Sequence, residues 1–151
     1  MKKNKNKIFW KNAKKIIPDG NSFLSKRIDL NKNIDWPAYY KRASGCYVWD
    51  LNNKRFTDVG LMGVGTNVLG YNNKEVNNAV NKAINQSNVS SLNCIEEFKL
   101  AKELLKLHKW AQMVKFARTG GEANSLAIRI ARSFTNSEKV AVCGYHGWHD
   151  W

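Results

Sequence analysis

Residues 116–124, with the sequence FARTGGEAN, place two glycines between an apolar segment and a helical pattern. Backbone amides at the start of a helix have no intrahelical acceptor and lie at the positive end of the helix dipole. A turn at Gly120 and Gly121 can therefore bind a phosphate. The same letters fit a tight turn in which Thr119 only caps the helix, and this segment alone supports both interpretations equally. The turn contains neither a G-x-G-x-x-G pattern nor a GK[ST] triplet, which argues against a nucleotide-binding loop.

A second stretch, residues 143–151 with the sequence CGYHGWHDW, begins where the next apolar segment ends. Tyr145 can stack on a planar aromatic ring, and His146 can exchange hydrogen bonds with a substrate group. The alternatives are a core position for Tyr145 and a metal site made by His146 and His149. Two histidines and one nearby aspartate are too few ligands for zinc, which argues against the metal site.

The elements around these two stretches read as a βαβ unit. Residues 113–117 and 139–143 have the composition of buried strands, and residues 122–134 carry apolar side chains at helical spacing. We expect that helix to be buried through one stripe of small and aliphatic residues, namely Ala123, Leu126, Ala127, Ile130 and Ala131. Parallel sheets bind ligands beyond the carboxyl ends of their strands, so both stretches are predicted to face one crevice.

The segment before this unit predicts a hairpin and two amphipathic helices. Residues 45–50 and 55–59 read as strands around a turn at 51–54, and a glycine-dense stretch follows. A helix is predicted over 73–86 through Val76, Val80, Ala83 and Ile84, and a second helix from Asn93, as its cap, to His108. Residues 1–15 read as a frayed or weakly helical arm, with the first turn at 18–20.

Composition limits the class of protein. The 151 residues suffice for one ordinary domain or part of one. Three widely spaced cysteines argue against a disulfide framework, and no apolar run resembles a signal peptide or a membrane span, so we expect a cytoplasmic protein without a membrane partner. The formal net charge is +13, and seven of the lysines lie within the first fifteen residues, which contain no acidic residue. This pattern favours a solvated tail over a nucleic-acid-binding arm.

The predicted fold class is α/β, and the chain looks truncated because two parallel strands cannot complete a sheet. We divide it into a basic flexible arm (1–20), a segment with the hairpin and a helix (21–92), and the start of a larger domain (93–151).

Several motifs resemble one enzyme family in order and spacing. They are FARTGGEAN and GYHGWHD, together with ASGCYVWD at 43–50, RFTD at 55–58 and LGY at 69–71. These segments resemble the class III pyridoxal-phosphate (PLP) aminotransferases, particularly the branch related to glutamate-1-semialdehyde aminomutase. The resemblance implies the N-terminal part of a fold type I PLP-dependent transferase, with its opening hairpin and helices and the first βαβ unit of the large domain.

The resemblance also assigns roles to individual residues. It implies that Thr119, Gly120 and Gly121 bind pyridoxal 5'-phosphate, the two glycines through backbone amides to its phosphate, and that Tyr145 covers its ring. His146 would lie on the substrate side, and Arg27 lies near the family's carboxylate-binding arginine. The family commonly has a hydroxyl residue where this chain has Gly121.

Substrate and activity are less fully implied. The aminomutase has a Ser-Trp pair where this chain has Leu61 and Met62, which puts a semialdehyde-specific role in doubt. The lysine that forms the Schiff base lies downstream in the family, so no catalytic residue is assigned and the chain alone is expected to be inactive.

The leading hypothesis is an aminotransferase or aminomutase fragment whose parent is a homodimer acting on an amino donor and a carbonyl compound. The alternatives are a basic α/β module that binds phosphate or nucleic acid without catalysis, and the remnant of a broken gene.

Overall fold

The computed structural model describes residues 4–30, 36–87, 89–145 and 147. The chain divides into two compact units, Met1–Asn88 and Val89–Trp151. The first unit carries α1 (Lys5–Ala13), strands β1 (Tyr40–Ser44), β2 (Tyr47–Asp50) and β3 (Arg55–Thr57), and α2 (Lys74–Gln86). The second unit carries α3 (Ile95–Leu107) and α4 (Gly120–Thr135).

The predicted hairpin is confirmed, and it is part of a three-stranded antiparallel sheet in the order β1-β2-β3. Val48 pairs with Phe56 across the hairpin, and Ala43 pairs with Val48 on the other side. The buried carboxylate of Asp50 closes the turn, because its Oδ1 accepts the amides of Asn52 and Lys54, both at 2.8 Å. Strand β1 was not predicted from the sequence.

The N-terminal segment is more ordered than the sequence suggested. Asn4 caps α1 by accepting the amide of Lys7, and the side-chain amide of Asn6 donates to Asp50 Oδ2 at 2.8 Å. Asn6 and Trp10 are both buried, so the helix is held by polar contacts of Asn6 with Asp50 and Tyr39 and by the packing of Trp10 against Tyr39, while its lysines stay in solvent. Within the segment predicted as a frayed or weakly helical arm, Lys5–Ala13 thus form a helix that contacts the hairpin turn.

Helices α2 and α3 lie where the sequence predicts them, but the cap predicted for α3 differs. Asn73 caps α2 by accepting the amide of Val76 at 3.1 Å. Asn93 was predicted to cap α3, but Cys94 occupies the N-cap position and makes no side-chain cap bond there. The Cys94 thiol instead donates to Glu96 Oε2 at 3.0 Å, which draws the acidic side chain of the first turn toward that cysteine.

Helix α4 starts at Gly120, two residues before the predicted start, and ends where Asn136 adopts a left-handed conformation with φ 52°. The predicted strands at 113–117 and 139–143 form no ladder with any described residue. The helix of the predicted βαβ unit is present as α4, whereas the two segments predicted as its strands are unpaired among the described residues. A parallel strand is held by neighbours on its edges, and apolar composition cannot supply them.

The predicted apolar stripes exist, but little protein covers them. Among the described residues, Trp10 is the one buried hydrophobic side chain. On α4, Leu126 is half-buried, whereas Ala123, Ala127, Ile130 and Ala131 are exposed, so the prediction that this stripe is buried is wrong. The α2 stripe is likewise open to solvent. Over the part of the chain that can be described, none of the helices has the length and apolar character needed to cross a membrane.

Candidate functional site

Two reciprocal hydrogen bonds fix the start of α4. The hydroxyl of Thr119 accepts the amide of Glu122 at 3.2 Å, and Glu122 Oε2 accepts the amide of Thr119 at 3.0 Å. The same carboxylate oxygen also accepts the amide of Arg118 at 2.9 Å. This capping box satisfies amides on both sides of the helix start and holds the turn in one conformation.

The capping box leaves two amides of the first turn available. The amide of Ala123 donates to the carbonyl of Thr119 at 3.0 Å, so the helical ladder begins there. The amides of Gly120 and Gly121 meet no acceptor among the residues that the structure describes. Unpaired amides at a helix start, together with about half a positive elementary charge from the helix dipole, are the elements of an anion site.

The second loop reaches this turn. Gly147 has a φ of 94°, and a Cβ built on it would lie 3.0 Å from Gly121 Cα and 3.3 Å from Gly121 N. A side chain at Gly147 would require its neighbours to move, so the backbone of Gly147 lies directly against the buried Gly121. The structure thus brings the two predicted loops together.

The remaining predicted residues have different surroundings. Tyr145 is 79% exposed, so it is not the core residue that one interpretation allowed. His146 lies outside the described residues, as does His149. Arg118, which precedes the turn, also lines an open groove of about 810 Å³ beside α4. The groove is lined by Phe116, Ala117, Arg118, Glu122, Ser125, Leu126, Ile128, Arg129 and Arg132.

Arg27, the predicted carboxylate-binding residue, lies in the first unit and is already bound to carboxylates. Its Nη2 and Nε contact the two carboxylate oxygens of Asp29 at 3.1 and 3.3 Å, and its Nη1 lies 3.2 Å from Asp19 Oδ1. Lys14 adds a second cation to Asp29 at 3.3 Å. The hydrogen bond to Asp29 raises the pKa of Arg27. Its guanidinium is thus part of an ion cluster within the N-terminal segment.

Two residues of the candidate site, Glu122 and Gly147, were not identified as site residues from the sequence. Glu122 was recognised only as the start of a helix, although threonine followed three residues later by glutamate is the signature of a capping box. Gly147 was read as part of a motif, and its contact with Gly121 joins positions 26 residues apart in sequence, which no local pattern encodes.

Comparison with known proteins places the chain in a family. A sequence model described as aminotransferase class-III matches residues 30–150. The chain belongs to the class III aminotransferase family. It is 31% identical over 143 residues to the 3-aminobutyryl-CoA aminotransferase of Cloacimonas acidaminovorans, covering 94% of this chain and 34% of that protein.

Two further comparisons agree on the family and the fold. The class III chain is 33% identical over 148 residues to the glutamate-1-semialdehyde 2,1-aminomutase of Nitrosopumilus maritimus, covering 96% of this chain and 33% of that protein. A solved transaminase with PLP bound superimposes with a TM-score of 0.85 at 24% identity, covering 99% of this chain and 34% of that one. The fold is therefore the N-terminal part of a PLP-dependent transaminase, and the chain spans about a third of the length of these proteins.

The contact between the loops predicts different effects of alanine at two glycines. Gly147→Ala should displace its loop from Gly121, because the new Cβ would lie 3.0 Å from a backbone carbon. The measurement is the backbone amide chemical shifts of Gly120 and Gly121 in the variant. Gly144→Ala is the matched control, since Gly144 also has a positive φ of 84° but a Cβ there meets no described atom within 4 Å. Equal shifts in the two variants would contradict the contact.

The Arg27 cluster predicts a specific pH dependence. The hydrogen bond from Arg27, assisted by Lys14, lowers the pKa of Asp29 from 3.8 to about 2. A lowered folded-state pKa stabilises the fold above the unfolded value, and this stabilisation is lost as pH falls from about 4 through 2. Denaturant midpoints at pH 5 and pH 2.5 should therefore differ less in Asp29→Asn than in the wild type. Glu75→Gln, which neutralises an exposed carboxylate outside the cluster, should retain the wild-type difference.

Proposed function

We propose that this chain forms the phosphate- and ring-binding part of a PLP-dependent aminotransferase or aminomutase. The parent reaction moves an amino group between an amino donor and a carbonyl compound. The observation that carries the proposal is that the amides of Gly120 and Gly121 meet no acceptor in the described part of the chain, with Gly147 packed against Gly121, in a chain of the class III family.

The described residues fit the phosphate of PLP. A phosphate monoester carries almost two negative charges at neutral pH, and each hydrogen bond from an amide to such a charged group contributes about 1.5–3 kcal/mol. Gly120 and Gly121 supply two such donors, and Thr119 keeps them at the helix start. Gly121 brings no hydroxyl of its own, so the backbone is the source of its contact.

Tyr145 and His146 complete the proposed site. The exposed ring of Tyr145, two residues before Gly147, is available to cover the pyridine ring. His146, between them in sequence, is proposed to lie on the substrate side. Bound PLP supplies an electron-withdrawing ring that allows the carbon bearing the substrate's amino group to lose a proton.

Arg27 remains a prediction as a substrate-binding residue. To receive a substrate carboxylate, its guanidinium would have to leave Asp29 or Asp19, both of which it contacts directly. A substrate without a carboxylate for Arg27 to bind would leave the ion pairs of Arg27 with Asp19 and Asp29 intact. The ion cluster therefore favours a substrate recognised by other residues.

The parent's finer properties are also proposals. The named relatives include both an aminotransferase and an aminomutase, and the chain matches about a third of each. We propose a cytoplasmic homodimer whose lysine for PLP attachment lies in the remaining two thirds of the fold. This chain alone would then bind PLP weakly and turn over no substrate.

A basic binding module without catalysis is the second candidate. The lysines of α1 and the residues after it are exposed, so a polyanion could bind there through charge alone. Such binding would not depend on the glycine turn. It would fall steeply as salt concentration rises.

Replacing Gly120 by proline tests the proposal. Gly120 is the first residue of α4 and Thr119 before it is extended, so proline fits the helix start but removes the amide donor. Gly120→Pro should weaken PLP binding by about tenfold to a hundredfold, the equivalent of one charge-assisted hydrogen bond. The measurement is the dissociation constant for PLP, compared with that for pyridoxal, which lacks the phosphate.

Gly120→Ala is the matched control, because it keeps the amide and its Cβ meets no described atom within 4 Å. It should bind PLP within about twofold of the wild type, since no donor is lost. Equal affinity of the proline and alanine variants would contradict the proposed phosphate site. Equal affinity of the wild type for PLP and pyridoxal would contradict it as well.

A further inference from the structure

One face of the three-stranded sheet carries two rows of side chains that cross all of its strands. In the first row, Trp49 of β2 pairs with Arg42 of β1 and with Arg55 of β3. The second row, two positions earlier on β2, consists of Ser44, Tyr47 and Thr57. Residues that lie opposite each other in an antiparallel sheet, or two apart on one strand, share a face. Each row therefore has an aromatic ring at its centre, and none of these side chains is acidic.

Both arginines of this face lie over aromatic rings. The guanidinium carbon of Arg42 is 3.5 Å from the centroid of the Trp49 ring, and that of Arg55 is 4.7 Å from the centroid of the Tyr47 ring. The two rings contact each other edge to face, with centroids 6.2 Å apart. Within the described part of the chain, neither guanidinium forms an ion pair or a side-chain hydrogen bond. The rings thus hold two planar cations whose N–H donors are available to a ligand.

This arrangement suits a ligand that offers planar rings and anionic groups together. Arg42, Tyr47 and Arg55 are exposed, and Trp49 is half-buried. In proteins that bind single-stranded RNA, splayed bases stack on aromatic rings and on guanidinium planes. The N–H edges of the same guanidiniums bind phosphate. Arg42 and Arg55 are two strand spacings apart, about 10 Å, so they can contact different nucleotides of one strand.

Other anionic ligands use less of this face. An acidic peptide would bind the edges of the guanidiniums and leave their planes unused. A duplex keeps its bases stacked inside, where a sheet face cannot reach their planes. Small ligands bind in concave sites, whereas these side chains stand on an open sheet. The hydroxyls of Ser44 and Thr57, on either side of Tyr47, can bond the 2'-hydroxyl that distinguishes RNA from DNA.

We propose that this arginine–aromatic face, formed by the two rows, binds single-stranded RNA. Bases stack on the guanidiniums of Arg42 and Arg55, and the phosphates accept hydrogen bonds from the edges of the same groups. The lysines of α1 add attraction through charge alone. The site lies in the first unit, so it goes beyond the proposed aminotransferase function and stands whether or not PLP binds at Gly120 and Gly121.

An arginine-to-lysine substitution separates stacking from charge. The 151-residue chain is titrated into a fluorescent single-stranded RNA about twelve nucleotides long, a length that single-stranded sites cover, and anisotropy gives the dissociation constant. Arg42→Lys keeps the positive charge but removes the planar group over Trp49. It should weaken RNA binding at least about fivefold, the loss expected for one stacked base.

Arg129→Lys is the matched control. Arg129 is also exposed, but its guanidinium lies over no aromatic ring among the described residues. This variant should bind the RNA within about twofold of the wild type, because it keeps the charge and loses no stack. Circular dichroism of both variants checks that they fold as the wild type does.

Photochemical crosslinking of the wild-type chain locates the site without any substitution. Ultraviolet irradiation of the complex, followed by mass spectrometry, should attach RNA at Tyr47 or Trp49. Unlabelled single-stranded RNA should compete better than a duplex of the same sequence, single-stranded DNA or a polyglutamate peptide of equal length.

Four results would overturn the proposal. The first is the absence of saturable binding to single-stranded RNA. The second is an equal effect of Arg42→Lys and Arg129→Lys, and the third is crosslinking confined to α1, either of which would leave binding through charge alone. The fourth is equal competition by the duplex, the DNA or the peptide, which would assign the face to that ligand instead. None of these outcomes depends on PLP, so a failure here leaves the phosphate site untouched.

Discussion

The reciprocal hydrogen bonds between Thr119 and Glu122 are the interaction on which the site depends. They determine that α4 begins at Gly120, and thus which amides remain outside the helical ladder. Glu122 also holds the amide of Arg118, so the backbone amides of Arg118 and Thr119 already have an acceptor. The capping box therefore concentrates the available donors on two consecutive glycines. The same bonds that stabilise the helix start thus also hold the turn of the proposed phosphate site.

Glycine at both ends of the contact between the loops is the second constraint. Gly147 can approach the helix start because it has no side chain, whose Cβ would lie 3.0 Å from Gly121 Cα. Tyr145 stands two positions before Gly147 in the sequence. In the first unit, the buried Asp50 closes the hairpin turn and accepts a hydrogen bond from Asn6, which joins that turn to α1. Polar contacts thus fix local geometry in both units, where apolar burial is small.

The sequence predicted the elements whose causes are local. The hairpin, α2 and α4 follow from turn residues, periodicity and caps within a few positions, and the Thr119 cap was among the interpretations of its turn. Residues 113–117 and 139–143, predicted as strands, form no ladder among the described residues, because a parallel strand depends on neighbours elsewhere in the fold. The docking of α1 was missed because Asn6 and Asp50 are 44 positions apart, and a lysine-rich segment resembles a solvated tail. Of the proposed site, the glycines could be found from sequence, whereas the contact of Gly147 could not.

The most direct test of the phosphate site is a nuclear magnetic resonance titration of the 15N-labelled chain with PLP and, separately, with pyridoxal. A phosphate site at this turn predicts that PLP shifts the amide resonances of Gly120 and Gly121 first and most strongly, and that pyridoxal leaves them in place. Shifts confined to the lysines of α1, or equal shifts at the glycines with both compounds, would contradict it.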